Sequence, residues 1–248
     1  MPNTDDLPAV PGDSGDAAPR DLRRDMARRM IQIGITMLVT ALILFGVAGT
    51  WRWPEAWLLV GLTAVGTLAA ELASTRCHPE VIAARSHMWR SEAPRWDRAI
   101  VVAYALAWAA VLVLAGLEYR WRGLSGLPLA LPLLGAVGFL LAYALIGWSM
   151  ACNPFFETLV RIQHERGHVT VTSGPYAYVR HPGYVGIVLF LLSTPPVLRS
   201  PWAVAPALLG GTVLVVRTAL EDRFLQANLA GYADYARRVR YRLVPGLW

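Results

Sequence analysis

The apolar residues of this 248-residue chain are gathered into long blocks nearly free of charge, and that arrangement limits its fold more than any other feature. A hydrocarbon core of about 30 Å needs about 20 apolar residues in helical form. The blocks Ile31–Gly49, Ala56–Ala73, Ala99–Leu117, Leu127–Met150, Tyr184–Leu198 and Trp202–Leu220 meet or approach that requirement. The fifth is the shortest; it carries Pro195-Pro196 near its end, and the turn "LRSPW" follows. That segment and the sixth block form a hairpin, and a partly re-entrant hairpin would reduce the count to five. The expected fold class is therefore all-α, a polytopic transmembrane helical bundle of five or six spans. Hydrophobic residues make up 55% of the chain and charged residues 16%, a composition too apolar for a soluble domain of this length.

The chain divides into three parts. Residues 1–19 are rich in Pro, Gly, Asp and Ala without hydrophobic periodicity, and are expected to be a disordered tail instead of a signal peptide. Residues 20–150 hold the N-terminal transmembrane helices, and residues 151–248 the polar motifs, the hairpin and an amphipathic end. The basic side chains are all arginine, and they orient the chain. Arg20, Arg23, Arg24, Arg28 and Arg29, then Arg76, Arg85, Arg90, Arg95 and Arg98, fall on one side with Arg161, Arg166, Arg180 and the cluster Arg223 to Arg242. Only Arg52, Arg120, Arg122 and Arg199 fall on the other. Cytosolic loops carry the excess of basic residues, so both termini and the 151–181 segment are expected in the cytosol. The net charge of +6 then reflects attraction to anionic headgroups, and no nucleic-acid module accompanies it. Two cysteines, Cys77 and Cys152, make no disulfide framework.

One motif invites a metal reading. "RIQHERGHVTV" contains the H-E-x-x-H string His164 to His168, which on a regular helix would aim two imidazoles at one zinc ion. Gly167 inside the string and the β-branched run after it oppose a helix there. No third ligand follows at a usual spacing, so no metal is expected.

The polar residues concentrate instead in Asn153–Tyr184. Pro182 suits the first position of the fifth helix, whose unpaired N–H groups would favour an oxygen ligand. Arg217 and Glu221 stand four apart and share a helix face, either as an intrahelical ion pair or as functional groups at the membrane edge. Together these features predict a polar pocket for a water-soluble ligand, built by the C-terminal half on the cytosolic side.

"SGPYAYVRHPGYVG" (Ser173 to Gly186), "RTALED" (Arg217 to Asp222) and "GYADYARRVRYRLVPGLW" resemble the isoprenylcysteine carboxyl methyltransferase family. The resemblance covers about the last 96 residues. It implies an integral-membrane methyltransferase that uses S-adenosyl-L-methionine. By the same resemblance, the cofactor contacts are Gln163, His168, Val169, Thr170, Val171, Tyr176, His181, Pro182, Gly183, Tyr184 and Glu221. Arg217 falls where the family faces the methyl acceptor, which makes it the implied catalytic and substrate-binding residue. The acceptor is lipophilic, enters from the bilayer, and is expected to offer a carboxylate of isoprenylcysteine type. A phospholipid amine, a small thiol, or a non-catalytic membrane protein of the same fold are the alternatives. Asp222 stands where the family has a second glutamate, which leaves its role open.

Overall fold

The computed structural model describes residues 22–79, 81, 85, 93–123 and 128–248; residues 1–19, Arg20, Arg90 and Leu127 lie outside them. Among the described residues, seven α-helices have both bounds in view: α1 Leu22–Ala48, α2 Pro54–Cys77, α3 Arg95–Arg122, α4 Ala130–Cys152, α5 Pro182–Leu198, α6 Val204–Asn228 and α7 Tyr232–Arg238; Val81 and Arg85 are helical as well. No strand occurs among the described residues. Five of the described segments are long and apolar enough to cross a membrane: residues 24–48, α2, α3, α4 and residues 201–228. The fifth predicted span, α5, is a 17-residue apolar helix, about 25 Å long at 1.5 Å per residue and so short of a full bilayer core. The chain is an integral, multi-pass membrane protein.

Helix ends depart from the expected spans where polar residues continue a helix beyond its apolar block. α1 starts at Leu22 and α6 runs to Asn228, because the Arg- and Glu-bearing turns keep helical backbone outside the hydrophobic zone. Pro182 opens α5 in its first turn, as its fixed φ favours. Pro195 and Pro196 lie inside α5, and Arg199 ends it in the left-handed region at φ 52°. The Ser200 hydroxyl then accepts the Ala203 amide and caps the turn into α6.

The six long helices pack as a closed ring, α1 against α3, α3 against α6, α6 against α5, α5 against α4, α4 against α2, and α2 back to α1. Leu44, Leu59, Leu112, Phe139, Leu191 and Leu214 fill its interior. Side chains such as Leu38, Val65, Leu106, Leu133 and Leu209 point outward and are exposed, as a surface solvated by lipid requires. The α4–α5 contact is close because it is made of small residues. A Cβ on Gly135 would sit 2.7 Å from the Val197 amide nitrogen, and one on Gly186 would sit 2.9 Å from the Ala142 carbonyl oxygen. Without a hydrophobic driving force between helices in lipid, such backbone approach is what holds neighbours together. At one end of the ring Trp53 stacks on Tyr119 at 4.4 Å, with Trp51, Trp57, Trp121 and Trp202 nearby, a belt suited to a membrane interface. The other end, where α1, α3 and α5 begin and α2, α4 and α6 finish, holds the site.

Candidate active site at the arginine-rich end

A cavity of about 360 Å³ opens at that end, within the range of small-molecule sites. Each of the six ring helices supplies part of its wall, including Arg29 from α1, Glu71 from α2, Tyr104 from α3, Tyr143 from α4, Tyr184 from α5 and Arg217 from α6. The 153–181 segment closes it from outside.

That segment has no ladder of its own and is held by side chains. Asn153 accepts the Phe155 amide at 2.8 Å and donates to the Tyr176 hydroxyl at 3.1 Å. Arg85 Nε donates to the Phe156 carbonyl at 3.0 Å and Arg217 Nη2 to the Thr158 carbonyl at 2.5 Å. Asp97 Oδ2 accepts the Val160 amide at 2.7 Å. These bonds satisfy backbone groups that a buried loop would otherwise leave unpaired.

The H-E-x-x-H string takes a 3₁₀ turn over His164–Arg166 and then the left-handed region at Gly167, φ 60°. It lacks the α-helix that zinc ligation at i and i+4 requires. His168 stacks on Phe155 at 4.3 Å, and its Nδ1 accepts the Gln163 amide at 3.3 Å. Desolvation, and then the charges of Arg161 and Arg166, push its imidazole down to about 4, so the ring is neutral at physiological pH.

Of the expected site residues, His168, Val169, Thr170, Val171, Tyr176 and His181 line the cavity. Gly183, Tyr184, Arg217 and Glu221 line it as well. Gln163 and Pro182 are absent from its lining. Gln163 is 1% exposed; its amide donates to the Phe155 carbonyl at 2.9 Å and accepts from Arg166 at 2.6 Å, bracing the loop from behind. The first turn of α5 is also less open than its proline implied, since the Tyr184 and Val185 amides donate to the His181 carbonyl at 3.1 and 3.3 Å.

Tyr184 is the centre of the arrangement. Its hydroxyl donates to Glu221 Oε2, its ring stacks on His181 at 5.8 Å, and the Arg217 guanidinium lies over it at 5.3 Å. Arg217 and Glu221 share a helix face as expected, yet they bracket Tyr184 without a direct ion pair among the described contacts. The carboxylate that holds Arg217 is Asp97, 120 residues away, which accepts Nε at 2.9 Å and is fully buried. With Nε and Nη2 engaged, the guanidinium plane is fixed.

Asp222 is absent from the cavity lining. It is fully buried behind His181, where it accepts both Arg180 Nε at 2.7 Å and Nη2 at 3.0 Å. It also accepts Arg242 Nε at 2.9 Å, Gln226 at 2.9 Å and the Tyr232 hydroxyl at 3.1 Å, with His181 Nε2 at 3.4 Å. Arg180 meanwhile donates to the carbonyls of Val239 and Arg240, and the Arg180 and His181 amides donate to Tyr241 and Arg242. One carboxylate thus ties the chain's end to the wall of the cavity. Burial raises the phenol pKa of Tyr176, and burial followed by the Asp222 charge does so for Tyr232, which makes both permanent donors and not bases.

Sequence reasoning missed Asp97, Phe155, Arg85 and Glu71. Phe155 falls in the polar stretch without a motif role, and only Glu71, a charge inside a predicted span near its cytosolic end, stood out.

Residues 133–227 match the profile of the isoprenylcysteine carboxyl methyltransferase (ICMT) family. Protein-S-isoprenylcysteine O-methyltransferase B of Arabidopsis thaliana is 29% identical over 133 residues, 53% of this chain and 64% of that one. The cobalt-zinc-cadmium resistance protein CzcN of Cupriavidus metallidurans is 33% identical over 132 residues, 51% of this chain and 56% of its own. The match therefore spans between half and two thirds of these relatives' lengths. The solved structure of a eukaryotic intramembrane Ras methyltransferase, ICMT, superposes with a TM-score of 0.55 at 20% identity, over 86% of this chain and 73% of the other, which shows a shared fold.

Proposed function

From this chain's membership, through residues 133–227, in the isoprenylcysteine carboxyl methyltransferase family, we propose that it transfers a methyl group from S-adenosyl-L-methionine to the carboxylate of a lipophilic, isoprenylcysteine-like acceptor. In this reading the reaction takes place at the cytosolic face; the opening of the cavity at the end where the arginines cluster supports it. The observation that carries the reading is the Arg217–Tyr184–Glu221 group, which puts a fixed guanidinium and a carboxylate on two sides of one ring in a single cavity.

The cavity's residues fit such a donor. Glu221, with its side chain 19% exposed, offers a carboxylate to a cationic amino-acid group, and Tyr176 and the Phe155–His168 stack offer flat surfaces to a base. The bound donor supplies a methyl group already activated on a sulfonium sulfur. The protein's task is then to bind, align and dry the acceptor. A carboxylic acid with a pKa near 4 is ionised at neutral pH, so no general base is required. Arg217 Nη1 orients the carboxylate by a charge-assisted hydrogen bond while Asp97 and Thr158 prevent the guanidinium from turning. Val101, Ile146, Ile187 and Leu214 line the same cavity with apolar surface, which excludes water and receives a lipid tail.

Calorimetry of the full chain in detergent tests the assignment. His181→Ala and Glu221→Ala should each weaken donor binding by about 10- to 100-fold, the loss of one charge-assisted or buried hydrogen bond. Arg217→Ala should leave donor affinity within about 2-fold and abolish turnover, read by mass spectrometry of the methylated acceptor. Unchanged donor binding in both of the first two variants would refute the reading.

A further inference from the structure

The cavity has a second polar pole, built outside the family-matched region. Glu71 accepts Arg29 Nε at 3.0 Å on Oε1 and Arg85 Nη1 at 3.3 Å on Oε2, so two guanidinium groups share one carboxylate. Arg85 is 6% exposed, lines the cavity, and has a second terminal nitrogen, Nη2, that is buried with no hydrogen-bond partner. A buried charged donor left without an acceptor is costly, and here it sits in the wall of a ligand-sized cavity.

Arg85 and Arg217 meet on one segment of the cavity wall: Arg85 holds the Phe156 carbonyl and Arg217 the Thr158 carbonyl, two residues on. Among the described residues, the charged groups at this pole are Arg29, Arg85 and Arg217 with Glu71, Asp97 and Glu157, the last of which acts on Arg85 through its charge. Glu157 is also bonded by Arg161 at 3.0 and 3.2 Å. Glu221 lies on the far side of Tyr184.

We propose that Arg85, with Arg217, forms a two-guanidinium subsite for a monoanionic head on the acceptor, and that Arg85 sets the preference for an acid over an uncharged analogue. The inference rests on the methyl-transfer reading only for the identity of the amphiphile that fills the cavity. Arg85 here is a specificity residue that compensates acceptor charge, and the donor pole does not depend on it.

The full chain in detergent is titrated with N-acetyl-S-farnesylcysteine and with its C-terminal carboxamide, and donor binding is measured in parallel. The parent should prefer the acid by about tenfold or more, and Arg85→Gln should reduce that preference to about twofold with donor affinity unchanged. Arg85→Lys, which keeps the charge, should retain most of it. Glu71→Gln removes the carboxylate that Arg85 shares with Arg29 and should increase the preference, a gain that a purely structural role for the triad would not give. An acid preference that survives Arg85→Gln, its absence from the parent, or a fall in Glu71→Gln would each overturn the inference. A chain that keeps the Arg85-dependent preference but does not bind S-adenosyl-L-methionine would instead overturn the proposed methyl transfer alone.

Discussion

Replacing Asp222 with asparagine removes one charge and almost no volume, and in either amide orientation an N–H faces an Arg180 donor. Oδ1 is faced by Arg180 Nε, Tyr232 and His181, and Oδ2 by Arg180 Nη2, Arg242 and Gln226. Whichever position the amide nitrogen takes, at least one Arg180 N–H faces an N–H in place of a carboxylate oxygen, and Tyr232, His181 or Gln226 has to reverse its role to accept. Two arginines also lose their shared counter-charge, and breaking a buried pair from one side costs about 3–5 kcal/mol. The loss falls mainly on the segment from Val239 to Arg242, which is held by Arg180 and by the His181 amide. If that segment opens locally, 3–5 kcal/mol raises its open population by roughly 100- to 3,000-fold. Limited trypsin digestion reads this directly, because Arg237, Arg238 and Arg240 lie within or beside it. Cleavage at those sites should accelerate by orders of magnitude, while α1 to α6 stay intact on the gel. Donor affinity should fall with it, since His181 loses its support. A variant cleaved at the parental rate would show that Asp222 does not latch the chain's end, and the reasoning from buried charge would fail.

Two further outcomes follow from described geometry. The His168 imidazole is held at about 4 when folded and titrates near 6.5 when unfolded, so its contribution is complete above pH 6.5 and is lost as pH falls toward 4. The melting temperature should drop between pH 7 and pH 5 by more in the parent than in His168→Gln; identical pH profiles would refute this. Gly186→Leu places Cβ 2.6 Å from Ile146 Cγ1 and 2.9 Å from the Ala142 carbonyl oxygen, which should destabilise the α4–α5 contact by about 1–3 kcal/mol or more. Gly211→Ala, whose new methyl would meet Val188 at 3.9 Å, is the matched control and should be neutral or slightly stabilising, both read as melting temperatures in detergent.

The helices were legible because a membrane reduces the problem to length and charge: apolar blocks become spans, and arginines sort their ends. The family-like motifs were legible for a related reason, since His181, Tyr184 and Glu221 line the cavity close to the turns that carry them. Partnership across the bundle was not. Arg217 and Glu221 are one turn apart, and spacing alone offered them to each other; it took the ring packing of α3 against α6 to bring Asp97 to Arg217 and free Glu221 for Tyr184. Gln163 lies behind the cavity lining, and a polar residue beside a ligand-like motif and one bracing a buried loop look the same in sequence. Asp222 was unreadable because its role depends on Arg242, which meets it only after the chain folds back through α7.

The Asp97–Arg217 pair also bears on how this chain can vary. The two residues stand on helices from opposite halves of the sequence, and only Arg217 lies in the family-matched stretch. A new N-terminal half could supply spans of the right length and still fail, because an arginine inherited with the motif would find no carboxylate in the low-dielectric interior. The halves are therefore not interchangeable cassettes. A transplant of residues 133–227 onto another helical scaffold would need a carboxylate at the place of Asp97 to meet Arg217.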